Sequence, residues 1–239
     1  MFKESGPKNN TETREEKKEN FASVRESLQK LFKYLDPDAK KGLKVVQEKS
    51  GKDDVDDFSH RIMNKYYDSA GKLVLIEETK SDAIQGESGS IWNKHEEYEY
   101  DSQDKINEIR YTVDSNNSSD SDDYYDLHKI GKIELAYKDG KISKAICKEA
   151  INSSSSTWLG EKEQRIVNTR IFEVVYDSNG AVEKIFESGK VIKEIIKGEK
   201  GSEEKSYSKL IFDKKQEPDN TDDPFQIIKK SLDIEEIYY

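Results

Sequence analysis

The stretch Tyr67, Asp68, Ser69, Ala70, Gly71, Lys72, Leu73 decides the fold, because it reads as a hairpin turn and it returns. Asp opens such a reversal by capping free amides and Gly supplies the positive φ that ends it. The flanking Tyr and aliphatic residue then pack across the two strands. The same order stands at Tyr100, Asp101, Ser102, Gln103, Asp104, Lys105, Ile106 and at Tyr176, Asp177, Ser178, Asn179, Gly180, Ala181, Val182. A version one residue shorter is Tyr137, Lys138, Asp139, Gly140, Lys141, Ile142. Asp104 replaces Gly at moderate cost, since Asp enters the left-handed region more readily than most residues. A second aliphatic or small residue follows three positions after the first, as Ile76, Ile109, Ala145 and Ile185. Strict alternation demands two or four. Either a β-bulge reverses the face there, or the sheet is apolar on both sides locally.

The repeat tyrosines 67, 100, 137 and 176 lie 33 to 39 residues apart, and Phe212 followed by Asp213 makes a degenerate fifth copy. Such a period marks a repeat architecture, each unit being one hairpin plus a connection. The connections 81 to 90, 114 to 126, 152 to 157 and 213 to 223 are rich in Ser, Asn, Asp, Gly and Lys and read as exposed loops. Composition agrees with strands: 22 Ile and 11 Val stand against 11 Leu, and Tyr supplies 13 of the 23 aromatics.

Residues 1–20 balance five basic against five acidic groups around Phe2 and read as a disordered tether. Phe21, Val24, Leu28, Leu31, Phe32 and Leu35 then fall on one helical stripe, which Pro37 ends. Asp36, Pro37 and Asp38 restart the chain as a capped turn, and Ala39, Leu43 and Val46 suggest a shorter second helix fading at Ser50 and Gly51. Near the other end, Asp222 and Asp223 before Pro224, with Phe225, Ile227, Ile228 and Leu232, indicate a short helix capping an open sheet edge. The expected class is therefore α+β. It comprises a tether (1–20), an N-terminal helical hairpin (21–50), an antiparallel β-meander of repeated hairpins (55–215) and a C-terminal helix and tail (222–239).

With 40 Lys plus Arg against 50 Asp plus Glu the net charge is −10, which disfavours a nucleic-acid binder driven by phosphate neutralisation. The lone Cys147 excludes an internal disulfide and a cysteine-based metal site. His60, His95 and His128 precede their repeat tyrosines by odd offsets, which puts them on one face of a regular meander, but the differing offsets favour scattered histidines over a zinc set. Asp114, Asn116, Asn117, Asp120, Asp122, Asp123 and Asp126 concentrate oxygen ligands without the spacing of a calcium loop, so a solvated loop is expected. No phosphate loop, nucleophile elbow or His-Glu-x-x-His run occurs. The expectation is no enzyme and no cofactor.

The hairpin turns resemble the tyrosine-aspartate repeats of bacterial surface and toxin-shell proteins, from which only the β-meander geometry carries over. The polar Lys, Glu and Asn tether at 3–20, the vocabulary of Lys, Ile, Asn, Ser, Asp and Tyr, and charged hairpins such as 137–149 resemble the mature part of a Borrelia-type spirochaete outer-surface lipoprotein. That resemblance implies a lipid-bearing cysteine upstream of Met1, a cell-surface or outer-membrane location and a protein partner, host-derived in this reading. The alternative is a cytoplasmic acidic partner protein, immunity or antitoxin-like, for a basic effector. Binding residues are expected on the long-loop edge opposite the turn row, where loops hold more adaptable surface than short turns do. There Tyr124 and Tyr125 supply apolar area, and Asp120, Asp122 and Asp123 steer a basic partner.

Overall fold

The computed structural model describes residues 20–53, 57–84, 88–119, 123–157, 160–197, 201–213 and 223–232. Ten strands form one sheet in sequence order: β1 Lys44–Asp53, β2 Asp57–Tyr67, β3 Leu73–Ile84, β4 Ser88–Tyr100, β5 Ile106–Ser119, β6 Tyr124–Lys138, β7 Lys141–Thr157, β8 Gly160–Tyr176, β9 Val182–Lys197 and β10 Gly201–Asp213. The helices α1 (Phe21–Gln29) and α2 (Pro224–Ser231) complete a mostly-β molecule.

The meander follows from the repeated turn. The Oδ1 of Asp68 accepts from the amides of Ala70 and Lys72, and Asp101 and Asp177 bind the amides two and four residues on in the same way. The turn closes at positive φ on Gly71, Asp104 and Gly180, so Asp104 stands in for glycine as its sequence suggested. Register shifts by one residue beside each repeat tyrosine, leaving Val74, Asn107, Ser143 and Glu183 unpaired in the ladder. The spacing of three is therefore a β-bulge, and it returns both aliphatics of each pair to one core. Successive repeats also lock to one another. The hydroxyls of Tyr100, Tyr137 and Tyr176 donate to the carbonyls of Leu73, Ile106 and Ile142, at 2.8, 2.7 and 2.7 Å. Lys72, Lys105 and Lys141 lie over the same three rings. Phe212 takes the fifth place, buried opposite Ile185.

The N-terminal helical hairpin is half present. After α1, the backbone amides of Lys33 and Tyr34 donate to the Glu97 carboxylate at 2.8 and 2.6 Å, so they cannot close helical bonds and the stripe stops short of Leu35. The expected second helix is a single 3-10 turn, Pro37–Lys40, and beyond Gly42 at positive φ the chain enters β1. Residues 20–43 thus form a strap across one sheet face. Val24 and Leu28 pack on Ile130, Ala150 and Val167, Phe32 sits against His95, and Tyr34 covers Leu75. Burying Val24 and Leu28 contributes about 2 kcal/mol each. Residues 1–19, the expected tether, lie outside the described residues.

Helix α2 starts at Asp223, whose side chain accepts from the Phe225 amide. It covers no sheet edge. Ile228 and Leu232 are buried against the opposite face in a core with Ile133, Cys147, Phe172 and Ile185. Polar contacts place it across the strands, from Lys229 on Glu96 of β4 to Ser231 on Glu187 of β9. Long strands also replace most of the expected loops. Residues 114–119 and 124–126 pair in β5 and β6, and 152–157 pair in β7, because Ser, Asn and Asp are tolerated on a solvated sheet face whose backbone is held on both sides.

Candidate functional site

Beneath α2 runs a belt of alternating charge. Arg61 meets Glu78, Lys94 lies between Glu78 and Glu96, and Lys229 of α2 binds Glu96 at 2.9 Å. Lys129, Glu149, Arg170, Glu187 and Lys209 continue it over five successive strands. Lys129 and Arg170 also donate to the carbonyls of Leu232 and Ser231, the negative end of α2. Tyr111 reaches Glu149 at 2.5 Å by lying flat over Gly131, where a Cβ would meet its ring and hydroxyl at 2.5 Å. Burial raises the pKa of Glu149, but the cations Lys129 and Arg170 outweigh it and hold the carboxylate below its ordinary value. Burial pushes the Tyr111 phenol and the Cys147 thiol well up. Each of these charges faces an opposite charge, and the belt docks α2.

On the strap face, His95 joins Glu77 and Glu97 beneath Phe32. Burial opposes its charge, yet the two carboxylates more than offset this and raise its pKa. The His95 hydrogen bond, with help from Lys40 and Tyr66, lowers Glu77 to about 2. Glu97 in turn is the acceptor that holds the strap.

Farther along the same face, toward the β5–β6 connection, the strap ends and the side chains become mostly polar. Register aligns them in rows. Asn93, Asp114, His128 and Asn152 stand opposite one another on β4, β5, β6 and β7. Ile91, Asn116, Asp126 and Ser154 form the next row outward. These residues line a shallow groove of about 390 Å³. Asp114 pairs with His128, Asn116 donates to Asp126, and Thr79 donates to Asn93. The Asn152 Oδ1 is buried without a hydrogen-bond partner.

Of the expected binding residues, Asp120 and Asp122 lie outside the described residues. Asp123 is half-buried, and Tyr124 is 39% exposed. Tyr124 and Tyr125 are neighbours in β6 and project to opposite faces, so a partner lying on one face reaches one ring. Tyr124 shares the groove's face. The edge assignment agrees with the topology, since the turns at 67–73, 100–106, 137–142 and 176–182 lie at one end of the strands and the 119–124 connection at the other. The three histidines share the strap face, as their parity required, but occupy β2, β4 and β6 at different heights. Among the described residues no cluster of three ligands could hold a metal ion. His128 has the carboxylate of Asp114 as its partner. The groove was missed in the sequence because its residues are scattered over 60 positions; the polar even-numbered alternation in β5 and β6 was the available signal.

No family model, curated protein or solved structure matches this chain. The fold and site define a single-sheet meander, strapped on both faces, with one polar end.

Proposed function

We propose that the chain is a non-enzymatic surface or envelope lipoprotein ectodomain of a bacterium, binding a macromolecule of the host through the outer end of its sheet. One observation carries the reading: the two ends of the strands differ in how far their polar groups are already occupied. At the turn end, the capping Asp oxygens, tyrosine hydroxyls and turn lysines serve the repeat itself. At the other end, Asp114, Asn116, Asp126 and Asn152 retain oxygen atoms without protein partners among the described residues, and Tyr124 is exposed beside them. Binding surfaces combine such an aromatic anchor with unpaired polar groups. The acidic balance favours a basic partner and an association rate that falls with salt.

The test is a binding screen of the full chain against extracellular host proteins. Tyr124→Ala is expected to weaken the bound partner about tenfold, the lower range for an aromatic anchor. Asn179→Ala on the turn row leaves it unchanged. Equal binding by Tyr124→Ala, or loss through Asn179→Ala, defeats the assignment. The gene upstream of Met1 tests the location: a lipoprotein signal ending in cysteine is expected, and a ribosome-binding site directly before Met1 overturns it.

A further inference from the structure

We infer that the polar groove on the strap face binds carbohydrate, seating a short neutral glycan across β4 to β7. The inference deepens the proposed function by naming what part of a partner the outer end grips. The first support is the inventory of groups. Asn93 accepts from the Thr79 hydroxyl at its Oδ1 and keeps its amide donors, Asn116 donates to Asp126 and keeps its oxygen, and Asp114 and Asp126 each keep a second oxygen. Donors and acceptors thus alternate over neighbouring strands. A sugar hydroxyl both donates and accepts, and planar amide and carboxylate groups side by side satisfy vicinal hydroxyls in pairs. Asn152 also lines the groove, and its Oδ1 has no hydrogen-bond partner among the described residues, so its amide adds a further polar group to the row.

Spacing is the second support. Facing side chains recur every ~4.8 Å from strand to strand, close to the advance of one pyranose unit along an extended chain, so four strands offer room for two or three sugars. Ile91 and Tyr124, 51% and 39% exposed, stand on the same face in the outer part of β4 and β6 and suit the C–H faces of sugar rings. Other ligand classes fit less well. Among the described residues no Lys or Arg lines the groove, which disfavours phosphate, sulfate and sialic acid. Both carboxylates are shared with a hydrogen-bond donor, and amide donors flank them, which disfavours a bare cation or a lysine-rich segment. An extended peptide would need an open strand edge for its backbone, and β4 to β7 are paired on both sides.

The full chain is applied to an array of neutral, sialylated and sulfated oligosaccharides, and the strongest neutral trisaccharide is then titrated by calorimetry. Neutral oligosaccharides are expected to bind in preference to anionic ones. Asn93→Ala with Asp126→Ala is expected to weaken the trisaccharide at least tenfold, with circular dichroism and melting unchanged. Tyr124→Ala, which leaves the groove floor intact, is expected to weaken it severalfold should the double variant fail to fold. No bound oligosaccharide, preference for anionic ones, or undiminished binding by the folded variants overturns the inference. A host protein bound equally before and after enzymatic deglycosylation also overturns it, while leaving the proposed function standing. A trisaccharide bound by the groove with no host protein captured would do the reverse.

Discussion

Replacing Glu149 by Gln removes one charge from the middle of the buried belt without changing its shape. The carboxylate is fully buried, accepts from Tyr111 at 2.5 Å, and lies 3.0 Å from Lys129 and 3.4 Å from Arg170. Taking one partner from a buried ion cluster costs ~3–5 kcal/mol, because the remaining charges stay desolvated and uncompensated. The low end applies, since Lys129 keeps the Leu232 carbonyl and Arg170 keeps both the Ser231 carbonyl and Glu187. About 3 kcal/mol of lost stability corresponds to a urea midpoint lowered by roughly 1 to 1.5 M for a chain of this size. Glu203→Gln, which breaks the surface pair with Lys205, serves as the control and should leave the midpoint where it was. Adding Lys129→Met to Glu149→Gln removes the stranded cation and should recover part of the loss. A Glu149→Gln midpoint within ~0.3 M of the parent would refute the claim that the belt carries α2 by charge pairing.

Three further outcomes are expected. Gly131→Ala drives a Cβ into Tyr111 and breaks its bond to Glu149, costing roughly 2–3 kcal/mol in chemical denaturation, and Tyr111→Leu in the same chain relieves most of it. Tyr137→Phe removes a hydroxyl from the inter-repeat ladder and should cost about 1 kcal/mol by the same measurement, with Lys105 still resting on the ring. The strap should respond to pH on both sides. His95 has a raised pKa, so its contribution is complete below 6.5 and disappears as pH rises through the folded value. Glu77 is lowered from 4.5 to about 2, so its contribution is complete above 4.5 and disappears as pH falls toward 2. Protease cleavage near Tyr34 should therefore be slowest between these limits, and His95→Gln should flatten the alkaline side and also reduce the acid side, since the His95 hydrogen bond is the largest contribution that lowers Glu77.

The sequence by itself determined the meander, because the repeated Tyr-Asp turn is local chemistry: an Asp side chain, its own following amides and a residue at positive φ lie within five positions. It also contained the bulge, written as aliphatic pairs three apart, although the choice between a bulge and a two-sided apolar sheet needed the register. Only the tertiary structure decided where the first helix stops, since its stripe runs on to Leu35 while Glu97, more than 60 residues away, takes the amides of Lys33 and Tyr34. The same is true of β1. Ala39, Leu43 and Val46 suit a helix, but Ala39 stands in a 3-10 turn, Leu43 precedes the strand, and the free edge of β2 draws residues 44–53, Val46 among them, into a ladder. The polar connections became strand because a meander extends its ladders wherever both neighbours are long enough, whatever the intrinsic preference of Ser and Asn. The charge belt and the groove were not legible for one reason. Each is a row running across the strands, and its members come together only when register sets Asn93 beside Asp114, His128 and Asn152, or Lys129 beside Glu149 and Arg170.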